Sequence, residues 1–128
     1  MFNGNYNPSS DDMIVVSTPY VPGYRIEKVI GFTWGLIVRS RGLGGNVVAS
    51  LRTIAGGEIK EYTQMLDQSR FEALERLKQH AKGMGANGVI EVRFDSSEIG
   101  QVMSEILAYG TAVVVKKDDS QSQSVSLK

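Results

Sequence analysis

Cysteine is absent from the chain, and its absence removes disulfides, thiolate nucleophiles and soft thiolate metal sites in one step. Histidine is nearly as scarce: His80 stands alone, with no second imidazole at helical or turn spacing. Neither sign of charge predominates. Fourteen basic residues balance 14 acidic ones, so the molecule lacks the broad positive field with which proteins hold nucleic acid or anionic membranes nonspecifically. No apolar run approaches the roughly 20 residues that span a bilayer, and residues 1–12 are polar where a secretory leader would be basic and then apolar. The expectation is a cytoplasmic protein with no nucleic-acid or membrane partner. No nucleophile, base and oxyanion donor stand at a recognisable spacing, so no catalytic residue and no cofactor is assigned.

What is present suits one compact domain. At 128 residues and 41% hydrophobic content the chain can build one core and is short for two. Residues 1–12 and 116–128 are dominated by polar types that bury too little to offset the entropy of ordering, and they read as disordered tails around a folded unit of 13–115. Residues 13–17 form an apolar run of strand length that Pro19 and Pro22 end. Residues 24–33 alternate, with Ile26, Ile30 and Phe32 on one side, Arg25, Glu27 and Val29 on the other, and Lys28 interrupting the apolar side. Gly31 and Gly35 are read as bulges or bends before 36–38 resumes an extended course.

Asn46 as N-cap, followed by Val47, Leu51 and Ile54 at i, i+4 and i+7, predicts a first helix that Gly56-Gly57 ends. From Glu58 to Lys82 there is no Pro or Gly, and Ile59, Tyr62, Leu66, Ala73, Leu74, Leu77 and Ala81 share one arc at 100° per residue, which predicts a second, long helix. Two strands follow, over 88–95 and 105–117. The last is apolar on both sides: Leu107, Tyr109, Thr111, Val113 and Val115 share one, Ile106, Ala108, Gly110, Ala112 and Val114 the other. Two helices cover only one face of a sheet, so the second face is assigned to another subunit, with Ala108, Gly110 and Ala112 permitting close approach. The fold class is α+β: a small mixed or antiparallel sheet with two helices, in a homo-oligomer.

Gly56-Gly57-Glu58, Tyr62, Arg70, Ala81, Gly85-Ala86-Asn87, the strand over 89–94 and the closing Tyr109-Gly110-Thr111-Ala112-Val113 together resemble the YbjQ-like family of small bacterial and archaeal proteins. The resemblance lies in order and spacing across nearly all of 13–115. It implies a βββααβββ subunit of α+β, dodecin-subunit-like type that assembles through its strands into a ring, a pentamer. It also brings the family's heavy-metal-binding label, which is tied to no reaction.

The ligand inventory opposes that label. His80 sits at the edge of the helix's apolar face and reads as a half-exposed surface residue; a hard-cation set of Glu58, Glu61, Glu98 and Glu105 is the alternative, and no metal ligand is assigned. Arg70 falls near the middle of the helical arc, between Leu66 and Leu77, where a guanidinium needs a partner. It reads either as a structural ion pair, for example with Glu58 or Glu105 of a neighbouring subunit, or as an anion-binding group acting with Tyr62. A glycine-rich stretch carrying Arg39 and Arg41 leaves a strand and opens the helix capped by Asn46, a place where anions bind. It matches neither GxGxxG nor GxxxxGKS/T and reads equally as a plain flexible loop. The ligand-binding candidates are thus Arg70, Tyr62, Arg39 and Arg41. Three functions remain, in this order: a homo-oligomeric binding or scaffold protein holding a small anionic ligand between subunits, a metal-binding protein, and an enzyme with an inter-subunit site. Arg70→Met is expected to weaken folding or assembly more than Arg39→Ala.

Overall fold

A computed structural model describes residues 13–40, 60–99 and 103–118. Among them lie β1 (Ile14–Val15), β2 (Tyr24–Ser40), the helix α1 (Lys60–Gly83), β3 (Gly88–Ile99) and β4 (Met103–Lys117). The strands make one mixed sheet in the order β1-β3-β4-β2, with β1 parallel to β3 and the other pairs antiparallel. The α+β class stands. One helix is described rather than two, because the helix predicted over 46–55 lies outside the described residues.

β2 is one continuous strand of 17 residues, and of the two glycines read as bulges or bends Gly31 does border a bulge. Its pairing with β4 slips between Ile26 and Lys28 and again between Val29 and Gly31, so Glu27 and Ile30 are each an extra residue. Each bulge reverses the phase of the alternation. Val29 therefore joins Ile26 and Phe32 on one face, while Ile30 turns to the other and packs against the core beneath α1. Gly35 is no bulge; it is where α1 touches the sheet. A Cβ there would collide with the Ala73 carbonyl oxygen and the Leu77 amide nitrogen of the helix backbone.

α1 covers the inner face of the sheet through Ser69, Ala73, Leu77 and Ala81, all nearly or fully buried. These residues are four apart, so the buried line advances about 40° around the helix at each step as α1 crosses the strands obliquely. That drift accounts for Arg70. On an averaged wheel it sits in the apolar arc, but at its own height the buried line passes through Ser69, and Arg70 is exposed. Ser69 enters the core as a polar residue because its hydroxyl donates to the Met65 carbonyl, 2.9 Å away, in the preceding turn.

β4, apolar on both sides, is a central strand, and the chain itself covers most of it. Ala108 and Ala112 are fully buried on the inner side, in the same core as Ala73, Leu77, Ala81 and Val89. Two of the small residues expected to admit another subunit, Ala108 and Ala112, thus share a core with the chain's own helix. On the outer side Val113 and Val115 are sealed by Val21, with Ile14, Val16 and Tyr24 packed around them. The segment carrying Val21 is tied along β3: the Val92 amide donates to the Val16 carbonyl (3.1 Å) and the Glu91 amide to the Thr18 carbonyl (2.9 Å). To reach them β3 bulges between Ile90 and Arg93, with Glu91 at φ 53° in the left-handed region. Gly110 lies opposite; a Cβ on it would come within 2.9 Å of the Ile90 carbonyl oxygen.

The reversal between α1 and β3 is held by Asn87, whose amide group donates to the Val115 carbonyl (2.9 Å) and accepts from the Val115 N–H (2.7 Å). The side chain thus supplies to β4 the pair of bonds that another strand residue would have made.

Candidate functional site at the open edge of the sheet

With much of the inner face under α1 and one end of the outer face sealed, most of the exposed large apolar side chains among the described residues belong to β2. Its outer residues are Ile26 (38% exposed), Val29 (62%), Phe32 (60%), Trp34 (44%), Leu36 (36%) and Val38 (47%). No polar side chain interrupts this row. Among the described strands β2 is also the last of the sheet, a position that soluble monomers usually blunt with charge or proline. Half-buried Tyr109 and Leu107 of β4 lie directly across from Trp34 and Leu36 and widen the patch. Phe32 stacks on Trp34 with ring centroids 5.7 Å apart and meets Tyr109 at 6.0 Å.

Along the open edge of β2 runs one row of α1, Glu72, Arg76 and His80, spaced four apart and so on one side of the helix. Each member grips the strand. Arg39 bonds Glu72 at 2.5 Å through Nη2 and donates from Nε to the Ser69 hydroxyl at 2.7 Å. Arg76 donates from Nη1 to the Leu36 carbonyl at 3.0 Å. His80 Nδ1 lies 2.8 Å from the hydroxyl of fully buried Thr33, with donor and acceptor roles set by the tautomer. Its ring lies 4.3 Å from that of Trp34. Trp34 belongs to the outer face and His80 to the helix on the inner face, so the pair meets across the open edge.

Of the four residues singled out from sequence, the side chains of Arg39 and Arg70 are among those described. Arg39 is half-exposed and already neutralised by Glu72. Arg70 is exposed, which removes the argument that it needs a buried partner. The Tyr62 side chain and all of Arg41 lie outside the described residues. His80 is half-buried, anchored by Thr33 and Trp34 rather than loose on the surface.

Metal-ligand chemistry fits poorly. Among the described residues no three of His, Cys, Asp and Glu converge. Of the proposed hard-cation set, Glu105 pairs across from Ser97 and accepts its hydroxyl at 3.0 Å, while Glu98 falls on the opposite face by strand alternation. With no thiol in the chain and its one imidazole engaged, a single subunit does not supply a soft-metal donor set in its described part. No described helix is long and apolar enough to cross a membrane.

Comparison with known proteins places this fold. A family model described as "Putative heavy-metal-binding" matches residues 13–116. The chain belongs to the YbjQ-like family. A UPF0145 protein of Methanocella arvoryzae is 67% identical over 117 residues, covering 91% of this chain and 98% of that one. A UPF0145 protein of Bradyrhizobium is 60% identical over 104 residues, covering 81% and 94%. Among solved structures, a protein of unknown function of the DUF74 family from Pediococcus pentosaceus superposes with a TM-score of 0.53 at 19% identity, covering 81% of this chain and 98% of that one; it shares the fold.

Sequence reasoning named Arg39 but missed Trp34, Glu72 and Arg76. The i, i+4, i+8 spacing of Glu72, Arg76 and His80 was visible in the sequence. What was not visible was that this side of α1 lies over a sheet edge.

Proposed function

We propose that this YbjQ-like protein is a homo-oligomeric binding or scaffold protein of the cytoplasm, a closed ring of five copies joined through the outer face of β2. The observation that carries this reading is the unbroken row from Ile26 to Val38, apolar and exposed on the outermost of the described strands. Full burial of such side chains is worth ~1.5–3 kcal/mol each. Covering what the six still expose therefore offers on the order of 5 kcal/mol per copy before the costs of association. A ring of identical contacts leaves no copy with the row uncovered.

A small anion held between subunits completes the reading. Arg70, exposed rather than buried, is the cation available to it, with Tyr62 two turns earlier on the same helix and Arg41 the next residue in sequence after β2. Arg39 serves instead to fix that end of β2 to α1. The family description favours a heavy metal as ligand, and the donor set described above opposes it. Native mass spectrometry on purified protein tests the assembly: a species of five times 14.0 kDa is expected. A lone 14.0 kDa species at micromolar concentration overturns it. Elemental analysis of the same sample separates the ligand readings, since stoichiometric metal would select the second.

A further inference from the structure

The open edge of β2 is not uniformly open. Among the described residues β2 hydrogen-bonds only to β4, so backbone groups that turn away from β4 face outward. The Leu36 carbonyl is one of these, because it accepts from Arg76 of the helix. In an antiparallel pair the N–H and C=O of a residue point to the same side and alternate with period two. Trp34 and Val38, two residues to either side in an unbulged stretch, therefore also turn their backbone outward. This is the stretch that the helix row covers: His80 packs on Trp34 across the edge, Arg76 occupies the Leu36 carbonyl, and Arg39, next to Val38, is clamped to Glu72 and Ser69. A strand from another molecule could not reach these groups without displacing the guanidinium and the imidazole.

We infer that Arg76 and His80 form an edge seal, which confines self-association along Thr33 to Arg39 to the side-chain face of β2 and forbids strand addition there. The partner admitted at this stretch is a second copy laid on the face, through Trp34, Leu36 and Val38. An unsealed apolar edge strand is a template that any number of chains can extend. A face contact with a sealed edge lets the assembly close. The seal rests on the self-assembly reading for its partner, but its geometry belongs to the single chain.

The test is backbone hydrogen exchange in the assembled wild-type protein, followed by the Arg76→Ala/His80→Ala double variant. In the wild type the amides of Trp34, Leu36 and Val38 are expected to exchange at least tenfold faster than those of Thr33, Gly35 and Ile37, which face β4. Equal protection of both sets would mean that a strand pairs at this edge, and the inference fails even if the protein is a ring. The double variant, with far-UV circular dichroism reporting its fold, is expected to form species larger than the wild-type assembly and to raise thioflavin fluorescence several-fold. Arg76→Gln, which leaves the His80 contacts in place, is expected to shift size in the same direction by less. A folded double variant of unchanged size overturns the seal. A wild type that stays a 14.0 kDa monomer overturns the self-assembly reading instead, while the exchange pattern and the variant's association still decide the seal.

Discussion

The two faces of β2 carry opposite designs on one backbone. Inward, Thr33, Gly35 and Ile37 are buried under α1, and Gly35 leaves no room for a single carbon. Outward, Phe32, Trp34, Leu36 and Val38 are bulky, apolar and exposed. Small and fitted on one side, large and uncovered on the other: the inner face specifies the fold of one chain, and the outer face is available for contacts between chains. The same contrast separates β4 from β2. β4 looks the more demanding in sequence, apolar on both sides, yet as a central strand it is largely satisfied within the chain, whereas the edge strand is not.

Variants on the two faces should therefore fail differently. Gly35→Ala is expected to have the largest effect. The new carbon meets helix backbone, which cannot rotate away, so a loss at or above the upper end of the ~1–3 kcal/mol typical of overpacking is expected, read by thermal or urea unfolding. A melting point within a degree or two of wild type would mean that α1 does not rest on Gly35. Next is the outer face. Trp34→Ser with Leu36→Ser is expected to leave the subunit folded and to dissociate the proposed ring, since truncating a central apolar anchor commonly costs about 2 kcal/mol or more, over tenfold in Kd. Sedimentation over a concentration series measures it; an unchanged association constant would remove β2 from the interface.

Smaller effects sharpen the comparison. The exposure of Arg70 reverses the expectation formed from the wheel. Arg39→Ala now costs more than Arg70→Met, about 1 kcal/mol for the lost bonds to Ser69 and Glu72 against ~0.5 kcal/mol or less for an exposed side chain. Chemical unfolding of both variants gives the order. Smallest is Glu91→Gly: glycine takes the left-handed conformation at no steric cost but loses more entropy on folding, so a change within about 0.5 kcal/mol of wild type is expected. A loss of several degrees in melting point would instead show that the Glu91 side chain holds the bulge.

Much of this was legible in the residues. The long helix was read to within about two residues at its start and one at its end, because a Pro- and Gly-free stretch with a 3.6-residue period has few alternatives. β3 was read short, since Ser96, Ser97 and Glu98 carry no strand signal of their own and are extended only because β4 pairs with them. The outer row of β2 was illegible: its two bulges cost one residue of register each, and simple alternation placed Val29 and Ile30 on the wrong faces. Arg70 misled because a wheel averages over a helix whose buried line drifts.

By itself the sequence determined the α+β class, the family, the span of the long helix and the poverty of metal ligands. The family follows from the order and spacing of residues across 13–115, the rest from composition and local periodicity, which each short segment carries alone. Tertiary structure alone decided which apolar strand is covered, that Arg70 is exposed, and that Glu72, Arg76 and His80 grip the edge of β2. Those outcomes depend on strand order and register, set by pairings between segments far apart in the chain, and no local pattern records them.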